Sequence, residues 1–360
     1  MTAVVKTKPL LGEKGTEVKS VAVPKPGPGE VLIRVLATAV CGSDRHIYKW
    51  DESMASIVKP PRIYGHEFCG EIAGFGPRSE RPHLREGLYV SAEMHVTCGV
   101  CRPCRTGQRH ICENTRILGV HGDGCFAQYV VVPAFNVIPL DRQVVPPRVG
   151  AFLDALGNAV HTAQVADLSG KSVAVLGYGP IGAMCAEIAK FSGASRIVIT
   201  EVNAQAAAHA RRWVSSRRLA HVSVIELGRT KDIVGTVRDA LGGGADVVLE
   251  LSGAESSINL GLAVARSGAT VSLLGIPKER SVTIRDYTRC LIFKGLTLHA
   301  VIGRRIFDTW IKMLDLLSAG LDVEDIVTDE FDGLEGFHDG MALLESRRAM
   351  KIVFYPNGRP

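Results

Sequence analysis

Two textures of hydrophobic and polar positions divide the chain. Up to about Pro139, short aliphatic and β-branched runs are cut at close intervals by Gly and Pro, as in Val31-Leu32-Ile33-Arg34-Val35, Leu88-Tyr89-Val90 and Ala127-Gln128-Tyr129-Val130-Val131-Val132. Runs of this length between turn residues predict an irregular β-rich module. From Gly150 onward, apolar strands (172–176, 196–200, 245–250 and 269–274) alternate with helical stretches (180–191, 204–213 and 256–265). Continuous Val/Ile/Leu runs suit strands buried on both faces, and strands separated by helices imply right-handed crossovers in a parallel sheet. A doubly wound α/β domain is therefore expected. Beyond it lie a strand at 296–300, a helix at about 306–319 and a last strand at 349–354, which we expect to return to the first module.

Composition narrows the class. With 360 residues, 46% of them hydrophobic and 22% charged, the chain is an ordinary globular sequence with length for two or three domains. No uncharged apolar stretch reaches the ~18 residues a bilayer span needs; the run 172–186 falls short and contains Gly177, Gly179 and Gly182. The opening Met1-Thr2-Ala3-Val4-Val5-Lys6 lacks the apolar core of a secretory signal, so no membrane partner and a cytoplasmic location are expected. A net charge of +5, from 42 basic against 37 acidic side chains, is too small and dispersed for a nucleic-acid surface. Arg211, Arg212, Arg217 and Arg218 read as a solvated helix face.

Three constellations carry chemistry. Cys98, Cys101, Cys104 and Cys112 are spaced C-x2-C-x2-C-x7-C, with Gly99, Pro103 and Gly107 supplying turns that let the sulfurs converge. Four thiolates close the shell of a zinc ion, so this centre should brace the fold rather than do chemistry. Cys41 and the later pair His66-Glu67 offer a thiolate, an imidazole and a carboxylate, a set that suits catalytic zinc with one open position. Singly, Cys41 fits a small buried residue and His66 a satisfied polar one; the Cys₄ lobe in the same chain favours the metal. Asp154 is a further candidate ligand or a helix cap.

The third is Gly177-Tyr178-Gly179-Pro180-Ile181-Gly182, between a Val/Ala strand and a helix, with Glu201 lying 19 residues beyond Gly182 at the end of the next strand. Glycines here permit the tight turn, the approach of a pyrophosphate and close helix packing, while the helix N-terminus offers N–H groups. The Glu201 carboxylate should accept the ribose hydroxyls and repel a 2′-phosphate. No Arg or Lys follows at Val202, Asn203 or Ala204, so NAD is expected over NADP.

Together these features resemble the zinc-dependent medium-chain alcohol dehydrogenase superfamily over essentially the whole chain. The resemblance is carried by Cys41-Gly42-Ser43-Asp44-Arg45-His46, Gly65-His66-Glu67, Gly124-Cys125-Phe126-Ala127-Gln128-Tyr129, Gly157-Asn158-Ala159-Val160-His161-Thr162 and Phe293-Lys294-Gly295-Leu296. The run His46-Ile47-Tyr48 with Trp50-Asp51 resembles its threonine-oxidising branch. The resemblance implies a GroES-like catalytic domain at 1–155 and 297–360, with a structural zinc lobe at about 95–115, around a Rossmann NAD-binding domain at 156–296. It also implies a homotetramer, NAD and two zinc ions per chain. The catalytic zinc would be held by Cys41, His66 and Glu67 with Asp154 as the fourth carboxylate, and Ser43 and His46 would relay protons. The implied reaction is oxidation of a secondary alcohol, L-threonine to 2-amino-3-oxobutanoate, with a polyol, acyloin or aminocyclitol as the alternative substrate. Glu201 stands where this branch usually carries Asp, and Ile302 precedes Gly303-Arg304 where an aromatic residue is common.

Overall fold

The computed structural model describes residues 1–7, 10, 14–228 and 231–360. Two compact units result, one of Met1–Ala155 with Val327–Pro360 and one of Leu156–Ile326.

In the second unit, six strands among the described residues form one parallel sheet: β1 (Ser172–Leu176), β2 (Arg196–Glu201), β3 (Val222–Glu226), β4 (Ala245–Glu250), β5 (Ala265–Leu273) and β6 (Thr297–Ala300), in the order β3-β2-β1-β4-β5-β6. This is the doubly wound arrangement, with its switch point between β1 and β4. All five residues of β1 are buried, as a central strand covered on both faces requires. The helix Pro180–Phe191 buries Ala183, Met184, Cys185, Ala186, Ile188 and Ala189. Asn203 caps the helix Ala204–Ser216 by accepting from Ala206 N, and Asp232 caps Ile233–Ala240 through Gly235 N.

This unit departs from expectation in two places. The resemblance implied an end at 296, whereas the compact unit runs to Ile326. The reason is that β6 pairs in parallel with β5, Thr270 opposite Thr297 through Leu273 opposite Ala300, and the following helix Asp308–Ser318 buries Trp310 and Met313. Arg217, read as solvated, turns inward to pair with Glu187, Asp322 (2.7 Å) and Asp325 (3.0 Å). The Glu187 carboxylate is buried on Pro180–Phe191 and also accepts from Trp213 Nε1, so it draws the guanidinium in.

In the first unit, seven strands among the described residues make a mainly antiparallel sheet centred on Glu30–Ala39. That strand pairs with Glu67–Phe75, with Tyr129–Pro133 and with the C-terminal strand Lys351–Tyr355, which returns antiparallel with Val353 opposite Ala39. A smaller sheet joins Thr16–Ser20, Thr2–Lys6 and Arg62–Ile63. Tyr64, Phe126, Phe337 and Phe354 form an aromatic core, with the Phe126 and Phe337 rings 5.1 Å apart. Ile47 and Tyr48 anchor the helix Gly42–Lys49 to it. That anchoring fixes the helix whose first turn carries the candidate metal chemistry.

Candidate active site

The strand Glu30–Ala39 runs directly into the Gly42–Lys49 helix, and Cys41 occupies the N-cap in extended backbone, φ −93° and ψ 164°. Asp44 closes the cap by accepting from Cys41 N at 2.9 Å, so the thiol sits at the mouth of the helix where a Ser or Thr usually caps. Antiparallel pairing sets Glu67 opposite Ala39 and thereby brings His66 and Glu67 to the same sheet end. Gly65 makes this possible: its φ is +90°, and a Cβ there would fall 2.6 Å from the Phe126 ring. One donor atom each of Cys41, His66 and Glu67 then lies within 4.8 Å of the others.

The surroundings are strongly electrostatic. His66 and Glu67 are buried, and Asp44 is 0% exposed. His66 Nε2 is 3.5 Å from Ser43 Oγ, while its Nδ1 faces Asp44 Oδ1 at 3.6 Å. Glu67 Oε2 accepts from Lys351 Nζ, a buried ammonium that also donates to Val40 O at 2.9 Å. Burial pushes the Asp44 carboxyl up. Burial also opposes a charged His66, yet Asp44 and then Cys41 hold its pKa at about 10. Lys351 is disfavoured as a cation by burial but held above its usual range by Glu67. Three acidic groups and a thiol surround Lys351 and His66, an arrangement that attracts positive charge.

The donor set fits a zinc ion by a direct test. Glu67 Oε1 is buried without a hydrogen-bond partner among the described residues, and leaving a carboxylate oxygen so is costly unless a cation engages it. Thiolate, imidazole and carboxylate are zinc donors, and three protein ligands leave a position for substrate. Asp154, in the first turn of the helix Leu153–Ala163, is buried but stands outside the set converging within 4.8 Å. Its charge acts on His66, Glu67 and Lys351 from there. Ser43 adjoins His66; His46 is three residues further along the same helix and exposed, with Nδ1 2.5 Å from Asp51 Oδ2.

At the lobe, Cys98, Cys101, Cys104 and Cys112 converge with their sulfurs all within 4.8 Å of one another. The Cys98 and Cys112 sulfurs are 3.5 Å apart and those of Cys101 and Cys112 3.8 Å, far beyond a disulfide bond. Gly99 and Gly107 take φ +73° and +80°, the left-handed turns that bring the chain back. Amide donors from Val100 and Cys101 bring the Cys98 thiol down to about 6, which favours the thiolate a metal requires.

In the nucleotide turn, Gly177 has φ +98°, and a Cβ at Gly182 would strike Gly177 O at 2.1 Å. No described heavy atom lies within 4 Å of a Cβ built on Gly179, whose open side leaves room for a phosphate. Pro180 opens the following helix and Ile181 is its second residue. Glu201 accepts from Tyr178 N (2.7 Å) through Oε2 and from Val202 N (2.8 Å) and Asn203 N (2.7 Å) through Oε1. The carboxylate thus braces the turn, a role that the sequence reading, which assigned it to ribose, had missed.

Sequence reasoning also missed Asp44, Lys351, Asp51 and Glu250. Asp44, three residues after Cys41, had a readable signal as the reciprocal partner of a cap. Glu250 ends β4 and accepts from Ser252 N, Ser252 Oγ and Gly253 N, shaping the loop after the switch-point strand. Nothing local marks Lys351, which meets Glu67 across 284 residues.

A parallel-sheet dinucleotide unit in one chain with a Cys-His-Glu set and a Cys₄ lobe defines a zinc-dependent dehydrogenase. Residues 27–142 match the alcohol dehydrogenase GroES-like domain and 180–319 the zinc-binding dehydrogenase domain. The chain belongs to the zinc-binding alcohol dehydrogenase family. Among its relatives are the L-threonine 3-dehydrogenase of Caldanaerobacter subterraneus subsp. tengcongensis, 43% identical with 99% of each chain covered, and that of Pyrococcus horikoshii, 41% identical with 98% of each covered. A solved alcohol dehydrogenase of Thermus sp. ATN1 superposes with a TM-score of 0.84 at 27% identity over 99% of both chains.

Proposed function

We propose that the protein oxidises the secondary alcohol of L-threonine to 2-amino-3-oxobutanoate with NAD, using one zinc held by Cys41, His66 and Glu67 and a second, structural zinc held by Cys98, Cys101, Cys104 and Cys112. The unpartnered, buried Glu67 Oε1 beside Cys41 and His66 carries the reading. The relatives named L-threonine 3-dehydrogenase, similar along 98–99% of the chain, support the substrate.

When bound, zinc polarises the substrate hydroxyl as a Lewis acid and NAD accepts hydride. The chain's own residues prepare both events. Asp44 faces His66 Nδ1 and so orients the ring with Nε2 toward the ligand set, as a carboxylate behind a metal-binding histidine does. Lys351 balances the Glu67 charge. Ser43 Oγ, against His66 Nε2, accepts the proton that the substrate hydroxyl gives up, and solvent-exposed His46 carries it outward. The Gly177–Gly182 turn and the helix it opens bind the pyrophosphate. Glu201 repels a 2′-phosphate and favours NAD over NADP.

A homotetramer in the cytoplasm completes the proposal. The outer strand β6 is largely exposed, and Phe293 (75% exposed), Ile292, Leu298 and Ile302 cluster in the same stretch of sequence. An open sheet edge flanked by apolar side chains is the kind of surface that self-association covers. The free cysteines suit a reducing compartment, and among the described residues no helix is long and apolar enough to cross a membrane.

The test is NAD reduction measured with L-threonine, sorbitol, 2,3-butanediol and an aminocyclitol at full zinc loading. L-threonine is expected to give the highest kcat/KM, and NADP to serve poorly. A polyol or diol turned over faster would replace the substrate, and no turnover on any alcohol would overturn the proposal.

A further inference from the structure

The C-terminal end of the Gly42–Lys49 helix is bent by an unusual residue. Its cap, Trp50, has φ 55° and ψ 53°, left-handed backbone that a bulky side chain adopts only when its surroundings impose it. Those surroundings are visible. Trp50 is buried in the aromatic core, and fully buried Lys6 lies with Nζ 4.9 Å from the Trp50 ring centre while donating to Tyr48 O at 3.0 Å. The turn doubles the chain back, so Asp51 meets His46 five residues earlier.

The two oxygens of Asp51 are divided between partners. Oδ1 accepts from Ser53 Oγ at 2.6 Å and from Met54 N at 3.2 Å, capping the one-turn helix Glu52–Ala55. Oδ2 faces His46 Nδ1 at 2.5 Å. Burial opposes the charge, but the bonds from Ser53, His46 and Met54 hold the Asp51 carboxyl below its usual range. An ionised carboxylate only accepts, so Nδ1 carries the hydrogen and the Nε2 lone pair is left open.

We propose that Asp51 is a positioning residue of the proton relay, holding His46 in the Nδ1–H tautomer so that Nε2 takes up the proton passed on by Ser43. The inference rests on the relay reading given above for Ser43 and His46. As the substrate hydroxyl releases its proton to Ser43 Oγ, the Ser43 hydrogen moves on toward His46 Nε2. The ring becomes an imidazolium held at Nδ1 by Asp51, and then yields the Nε2 proton to solvent.

Asp51→Asn makes an unusual prediction. The amide oxygen would stay with Ser53 Oγ and Met54 N, since both donate, and this turns the amide NH₂ toward His46. Nδ1 must then accept, Nε2 must carry the hydrogen, and neither ring nitrogen has a lone pair free. Asp51→Ser keeps a capping oxygen but leaves Nδ1 unconstrained. In the zinc-loaded enzyme with its best alcohol substrate, Asp51→Asn should lower kcat by about a hundredfold and Asp51→Ser by about tenfold or less, within the range that general base catalysis supplies. A purely capping role gives small and similar losses in the two variants, because Asn and Ser both replace Asp well at a cap.

Two further readouts complete the test. Carbethoxylation of His46, followed by peptide mass spectrometry, needs a free ring lone pair and should slow in Asp51→Asn relative to both wild type and Asp51→Ser. In a His46→Ala background, Asp51→Asn should cause no further loss of kcat. If His46→Ala itself leaves kcat intact, the relay reading falls and this proposal falls with it. If His46→Ala slows turnover but Asp51→Asn is no worse than Asp51→Ser, or adds its full loss to His46→Ala, the positioning role alone is overturned.

Discussion

The lobe at 98–112 and the set at Cys41, His66 and Glu67 lie in one unit and both offer sulfur to a metal, yet they are assembled in opposite ways. The lobe draws four like donors from fifteen successive positions, and its own amides, Cys98 N to Cys112 Sγ at 3.3 Å and Cys101 N to Cys98 Sγ at 3.4 Å, stabilise the Cys112 and Cys98 thiolates. The other set draws three unlike donors from a helix cap and a strand end, and depends on Asp44 in the first turn of that helix and on Lys351 from the C-terminal strand. A site made of one local segment closes on its ion and braces that segment. One made where separate elements meet is held by the fold and leaves an approach for substrate.

Four substitutions sharpen this contrast, taken from the largest effect to the smallest. Cys41→Ser should lower kcat by about a thousandfold or more, the several kcal/mol expected from a lost Lewis acid. Its thermal midpoint should stay within about 2 °C of wild type, since less than about 1 kcal/mol of packing changes. Cys104→Ser should do the reverse. Loss of the lobe's metal is expected to reduce stability by about 3 kcal/mol or more, seen as a drop of about 6 °C or more in the thermal midpoint, while the folded fraction keeps kcat within about threefold. Equal thermal losses in the two variants would break the contrast. Asp44→Asn should weaken zinc at the Cys41 set by about ten- to a hundredfold in a competition titration, with the lobe's zinc retained. Arg109, whose guanidinium lies 4.9 Å from the Phe135 ring at the lobe, should matter least, with Arg109→Ala changing stability by about 1 kcal/mol or less in chemical denaturation.

The same contrast explains what could be read from the chain alone. Strand 172–176, helix 180–191 and strand 245–250 were legible residue for residue, because buried Val, Ala, Leu and Ile runs between turn glycines carry their own pattern. Strand β6 was legible as a strand, but not as part of the parallel sheet. Thr297-Leu298-His299-Ala300 is largely exposed, and only pairing with β5 reveals its place. The four lobe cysteines announced themselves by spacing. Cys41, His66 and Glu67 could be nominated by residue type, but Lys351, which balances Glu67, could not, since it reaches Glu67 only through the return of the last strand beside Glu30–Ala39. Glu201 was found at its expected position, yet its bonds to Tyr178, Val202 and Asn203 belong to a turn geometry that no spacing encodes.

The division of labour between the two centres is tested most directly by graded chelation, with zinc counted per chain while turnover and the thermal midpoint are followed together. Two zinc ions per chain are expected at the outset. The first to leave should take turnover with it and spare the midpoint, and the second should bring the midpoint down. A single zinc that disappears with Cys104→Ser, in an enzyme that keeps full turnover as Cys41→Ser, would contradict the account.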